Sequence, residues 1–130
     1  MSARFALESE YAGVIRVDPE RVAETIANVA TSDNGAIFVA GDEGDPRGMI
    51  VLVAYDHPYS GERTAYELAW WMEPEARSDG DGLRLLRAAE EWGREVGAKT
   101  MYMVAPNDRV GALYQRLGYA KVETSYQRSL

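Results

Sequence analysis

The segment Ala76–Leu86, ARSDGDGLRLL, carries the most suggestive chemistry in the chain: an arginine, then Gly80 and Gly82, then a leucine-rich run of helical period. A strand that ends before Arg77 and a helix that starts at the glycines would gather unpaired backbone N–H groups at the positive end of a helix dipole. Such a place welcomes an anion, a phosphate above all. The same residues allow a plainer role, in which Gly80 and Gly82 permit the bend and Asp81 caps the helix. The two aspartates bear on the choice. A carboxylate about 4–6 Å from a phosphate costs roughly 2–4 kcal/mol at an effective dielectric near ~20, less where water screens it. If Asp79 and Asp81 both face the ligand, ordinary affinity is erased; if they turn outward, only their N–H groups face it.

Other reactive types are sparse. The chain has no cysteine and one histidine, so it offers no thiolate nucleophile, no disulfide and no cysteine-based metal site. His57 stands alone in a turn cluster, the setting of a surface residue, and no metal centre is expected.

The elements that must position the loop can be read from period and punctuation. VDPERVAETIANVA reads as a helix with Asp18 as cap, Pro19 at the first helical position and Val22, Ile26 and Val29 at helical spacing, ending near Asp33–Gly35. GAIFVAGD, GMIVLVAY and TAYELAWWM follow as consecutive antiparallel strands, rich in β-branched and aromatic residues and separated by turn clusters. Trp70 and Trp71 are neighbours on the last of these and must point to opposite faces, which suits a sheet covered on both sides. From Gly82 the period changes to 3.6: Leu85, Ala89, Trp92 and Val96 share one face of a helix closed by Gly97. A strand KTMYMVAP, a helix NDRVGALYQRLG stopped by Gly118, and a final strand YAKVETSYQRSL complete the chain. The fold class is α/β, with a mixed, mostly antiparallel sheet flanked by helices.

At 130 residues, with 46% hydrophobic and 27% charged residues, the chain has the size and composition of one soluble domain, taken as residues 1–130. A net charge of −7 repels phosphate backbones and anionic membranes, so neither nucleic acid nor a membrane is an expected partner. No apolar run approaches the ~18 residues of a membrane span, and the N-terminus has no signal pattern. A cytoplasmic location is expected. Exposed residues of VETSYQRSL on a last edge strand would suit pairing with a second chain, a homodimer.

The pair of segments MEPEARSDGDGLRLL and NDRVGALYQRLGY resembles the GNAT family of N-acetyltransferases. That family has a cofactor loop of the form Arg/Gln-x-x-Gly-x-Gly/Ala and a later helix with an Asn and a Tyr-x-x-x-Gly-Phe/Tyr ending. The matching residues are Arg77, Gly80, Gly82, Asn107, Tyr114, Gly118 and Tyr119. The resemblance is strongest over residues 48–120 and includes the element order; the segment before residue 35 is short for the family. The wording around YELAWWMEPEAR and ETSYQRSL also resembles small acetyltransferase-like proteins of tailed bacteriophages.

The resemblance implies a single-domain acyl-CoA N-acetyltransferase fold and acetyl-CoA as co-substrate. The backbone of Arg77, Ser78, Asp79, Gly80, Asp81 and Gly82 would then bind the pyrophosphate. Two neighbouring strands would part to admit pantetheine along Trp71 and Met72, whose backbone would offer an N–H to the thioester oxygen. It also implies that Asn107 orients the cofactor and that Tyr114 sits by its sulfur as a proton donor; the alternative for Tyr114 is an aromatic packing on the sheet. Glu67 is the implied base, one residue out of the common register unless a bulge corrects it, or else a solvent-facing strand glutamate. Ser78 stands where the family has its first glycine, and Asp79 and Asp81 where it has basic and apolar residues. The implied activity is direct transfer of an acetyl group to a primary amine on a small molecule or a lysine-bearing partner. The alternative is a non-catalytic binding or structural module with a degenerate loop.

Overall fold

The computed structural model describes the backbone of residues 1–130 and every side chain except those of Ser2 and Glu10. Two helices precede the sheet. α1 (Ser2–Glu8) leads through a 3-10 turn, Glu10–Gly13, toward α2 (Pro19–Ala30). The sequence pattern does not announce α1, because its seven residues make fewer than two turns and show no period. α2 begins as its residues dictate: Pro19 occupies the first turn, and the Asp18 carboxylate accepts the Glu20 N–H at 3.0 Å.

Three antiparallel strands follow, β1 (Gly35–Asp42), β2 (Asp45–Asp56) and β3 (Arg63–Met72). α3 (Asp81–Glu95) crosses over to β4 (Thr100–Tyr102), which lies parallel to β3, and α4 (Asp108–Arg116) comes after it. The sheet order is β1-β2-β3-β4. Gly97 and Gly118 take positive φ beyond the ends of α3 and α4, which only glycine does cheaply. Among the described residues no helix is long and apolar enough to cross a membrane.

Residues 120–130 form no strand, which overturns the final strand read from YAKVETSYQRSL. The segment is exposed, Val122 at 68% and Tyr126 at 93%. Its neighbour would have been β4, which is only three residues long, so few ladder partners exist for it. The homodimer expected from a last edge strand has no such strand to rest on.

The core lies on both faces of the sheet. On one, Met49, Val51, Ala69 and Trp71 pack with Val29 of α2 and, at the margin, Phe5 of α1. On the other, Ile50 and Leu52 pack with Leu85 and Ala89 of α3, with Trp70 beside them. Trp70 and Trp71 therefore do point to opposite faces. At roughly 1.5–3 kcal/mol for each large apolar side chain buried, this three-layer packing holds β3 in place from both sides. β3 is the strand that carries the site.

Candidate active site

β3 and β4 pair only through Thr64–Thr100, Ala65–Met101 and Tyr66–Tyr102. Beyond Tyr66 the two chains part, and β3 has no strand neighbour on that edge from Glu67 to Met72. The Glu67 side chain spans the opening: its Oε2 accepts the Val104 N–H at 3.0 Å. From α4, the Tyr114 hydroxyl donates to the Val104 carbonyl at 3.1 Å. Val104 thus ties the candidate base and the candidate proton donor to one point.

A bulge aims Glu67. Val51 stands opposite Ala69 but Leu52 opposite Glu67, leaving Leu68 extra on β3. In an unbroken strand Glu67, Ala69 and Trp71 would share a face. With the bulge, Glu67 shares the α3 face with its partner Leu52, while Ala69 and Trp71 pack toward α2. Glu67 is not a solvent-facing strand residue; it is 3% exposed. Burial, opposed in part by the Val104 N–H, raises its carboxyl from 4.5 to about 7.

Tyr114 is 5% exposed and lies parallel to Trp70, ring centroids 6.0 Å apart. Burial first, then the charges of Glu67, Tyr11 and Tyr119, pushes its phenol well above the ordinary tyrosine range, so it stays protonated. Tyr11, in the 3-10 turn after α1, belongs to the same neighbourhood: burial and then Glu67 raise its phenol to about 12. No motif or period marks Tyr11 in the sequence; only the packing of the N-terminal segment brings it here. His57, expected to stand alone, is half-buried in an aromatic stack, 6.4 Å from Tyr55 and 6.2 Å from Tyr102.

The loop lies past the other end of β3. Gly80 is the N-cap of α3, with φ +82 and no side chain to offer, so Asp81 is not the cap. It is the first residue of α3, and its carboxylate accepts from Arg84 Nη1 at 2.6 Å. The expected cap fails because Asp81 already has helical geometry, from which its own oxygens are ill placed to meet the next N–H groups. Asp79 pairs with Arg47 of β2. Both aspartates are thus neutralised by arginines. The Asp81, Gly82 and Leu83 N–H groups, in the first turn of α3, have no intrahelical acceptor and no capping side chain. Ser78 is exposed in the turn before them.

Arg77 folds back from the loop, its Nε donating to the Met72 carbonyl at 3.1 Å and its guanidinium 4.9 Å from the centre of the Trp71 ring. Gly82 closes up to β3: a Cβ there would stand 3.4 Å from Met72 Cγ and 3.7 Å from Trp70. Asn107 caps α4, its Oδ1 accepting the Val110 N–H at 3.0 Å. The fold therefore joins Glu67 and Tyr114 at Val104, sets Met72 and Gly82 against each other at the far end of β3, and places Asn107 at the head of the helix that carries Tyr114.

The sequence model of the acetyltransferase (GNAT) family matches residues 5–119, and the chain belongs to that family. Solved structures share its fold. A transcriptional regulator from Bacillus halodurans C-125 is 16% identical over 98% of this chain and 90% of its own, with a TM-score of 0.78. A putative acetyl transferase from Pyrococcus furiosus is 23% identical over 98% and 91%, with a TM-score of 0.75. The structure of AAC(6')-Iy in complex with the bisubstrate analog CoA-S-monomethyl-acetylneamine is 18% identical over 99% and 90%, with a TM-score of 0.73. Among curated proteins no sequence matches this chain.

Acetyl-CoA is the acyl donor of the family. The residues present fit it: an uncapped helix start, a glycine at 82 with no side chain to cover that start, aspartates already paired with arginines, and a strand edge open beyond Tyr66.

Proposed function

We propose that this chain transfers an acetyl group from acetyl-CoA directly to a primary amine. The observation that carries the proposal is Glu67, a carboxylate 3% exposed, set in the opening between β3 and β4 and bonded there to the Val104 N–H; burial raises its pKa to about 7. When bound, acetyl-CoA supplies the activated acetyl thioester. Glu67 takes the proton that an ammonium must lose before its nitrogen can attack; a base with a pKa near the working pH does this best. Tyr114, released from the Val104 carbonyl, donates a hydrogen bond to the sulfur as the C–N bond forms and the C–S bond breaks; the second proton of the attacking nitrogen passes to the departing thiolate, which leaves as the thiol. The raised pKa of Tyr114 makes full proton transfer from its phenol uphill to a thiolate of pKa about 8.5, so it stabilises the departing sulfur chiefly as a donor. With no cysteine in the chain, no thiol-based covalent intermediate forms on the enzyme.

The first-turn N–H groups of α3 and the backbone from Arg77 to Gly82 serve the pyrophosphate. The open edge of β3 at Trp71 and Met72 serves pantetheine and the carbonyl oxygen that gains charge. Asn107 orients the cofactor through its place at the start of α4. The acceptor amine reaches Glu67 at the opening between β3 and β4; the cavity of about 280 Å³ on the α1/α2 face, lined by Ile15, Arg16, Asp18, Arg21, Leu68 and Ala69 among others, does not include Glu67. Leu68 and Ala69 can both line that cavity because Leu68 is the extra residue of the bulge. Residues 1–130 act as one unit in this reading, in a compartment that supplies acetyl-CoA, the cytoplasm. A non-catalytic module would have Asp81 satisfy the loop amides; its carboxylate is instead engaged by Arg84.

The test is calorimetric titration with acetyl-CoA, followed by a thiol-release assay over a panel of amines. Saturable binding with amine-dependent thiol release is expected. No heat and no thermal stabilisation at millimolar acetyl-CoA would overturn the proposal.

A further inference from the structure

We infer that Arg47 and Arg84 are phosphate-binding residues of the coenzyme A site, stored on Asp79 and Asp81; this rests on the acetyl-CoA reading above. Arg47 lies far from the loop in sequence, and the β1–β2 hairpin delivers it. At Gly41, which has φ +100, a Cβ would come within 2.9 Å of the Arg47 nitrogen, so the hairpin closes tightly on this residue. The Arg47 carbonyl then accepts the Glu73 N–H at 2.8 Å, which fixes the hairpin to the end of β3, just ahead of the loop. From there its guanidinium reaches Asp79.

Arg84 sits in the first turn of α3, where the helix dipole disfavours a cation. Its pairing with Asp81 offsets that, and an anion bound at the same helix start offsets it further. Counting residues 77–84 together with Arg47, three arginines stand against two aspartates, in a chain whose net charge is −7; Glu73 and Glu75, just ahead of the loop, pair with Arg4. Both guanidinium side chains are open to solvent, 39% exposed at Arg47 and 77% at Arg84. A guanidinium has five donors in a planar fork, so each arginine can keep its carboxylate and still give two hydrogen bonds to a phosphate oxygen pair. The basic character that the loop itself lacks is supplied from β2 and from the helix.

The rival account is that the arginines only neutralise the aspartates. A double-mutant comparison separates the two, read as the Kd of coenzyme A and of pantetheine, which lacks the phosphates, by calorimetry at low and moderate salt. Arg47→Gln and Arg84→Gln should each weaken coenzyme A at least about tenfold, the loss of a charge-assisted hydrogen bond, and leave pantetheine unchanged. Asp79→Asn should recover only part of what Arg47→Gln loses, and the dependence on salt should flatten in the arginine variants. Arg47→Lys, which keeps the charge but not the fork, should fall between, and it serves if the glutamine variant does not fold. Recovery of wild-type affinity in Arg47→Gln/Asp79→Asn, or an undisturbed Kd in the single variants, would overturn the inference while leaving the acetyl-CoA reading intact. Failure of the wild-type protein to bind coenzyme A at all would overturn both.

Discussion

Replacing Glu67 by glutamine should slow the enzyme and stabilise the protein, two effects of opposite sign from one atom pair. Glutamine keeps the shape of the side chain and a carbonyl oxygen for the Val104 N–H, so the geometry at the opening is retained. What it loses is the ability to ionise. Burial raises the Glu67 carboxyl from 4.5 to about 7 in the folded chain. Between those values the folded state holds a proton at this site that the unfolded state has released, so stability falls as the pH rises through the window and the loss is complete above about 7. A rise of that size corresponds to about 3 kcal/mol, an upper figure because a buried carboxylate draws in water as it ionises. Glutamine carries no such penalty. The Glu67→Gln protein should therefore match the wild type near pH 4 and exceed it by up to about 3 kcal/mol at pH 8. The assay is urea denaturation of both proteins across that pH range; carboxylates common to both cancel in the difference. At pH 8, where the wild-type carboxyl is ionised, amine-dependent thiol release should fall by roughly 10²–10⁴-fold, the usual contribution of a positioned base, and the gap should narrow as the pH drops below about 7. A stability difference that is flat with pH, or a glutamine variant that is weaker at pH 8, would refute the buried, ionisable carboxylate on which the mechanism rests.

Tyr114→Phe removes the hydroxyl that donates to Val104 and keeps the ring on Trp70. About 1 kcal/mol of stability should go with it, and thiol release should drop by roughly 10–150-fold at unchanged acetyl-CoA affinity, the worth of a hydrogen bond to a charged sulfur; undiminished turnover in a folded variant would exclude the donor role. Gly80→Ala forces a side chain into φ +82 with no neighbour within 4 Å, so the effect is one of backbone alone. Thermal unfolding should show a loss of about 1–2 kcal/mol, and a neutral result would mean that the loop relaxes to another conformation. Ending the chain after Lys121 deletes an exposed segment without strand pairing, and stability should change by less than about 0.5 kcal/mol. A loss of several times that figure in urea denaturation would show that the tail packs on the domain.

The features that local chemistry controls could be read from the residues themselves. Asp18 before Pro19 starts α2 because the cap and its N–H lie two residues apart, and Gly97 and Gly118 close their helices because the required φ is a single-residue matter. The placement of β1, β2 and β3, and the opposite faces of Trp70 and Trp71, followed from strand alternation. The loop at Gly80 was legible as a helix start for the same reason. Its charges were not. Asp79 and Asp81 read as two carboxylates facing a phosphate, and only the tertiary structure supplies Arg47 from another strand and turns Asp81 onto Arg84. The aim of Glu67 was likewise open in the sequence, since one extra residue at Leu68 reverses the face of everything before it, and register is settled between strands and not within one. Tyr11 joins the site through the docking of α1, for which no short pattern exists. The strand expected after residue 119 failed for the complementary reason: a run with strand-like residues still needs a neighbour to pair with, and β4 ends after three residues.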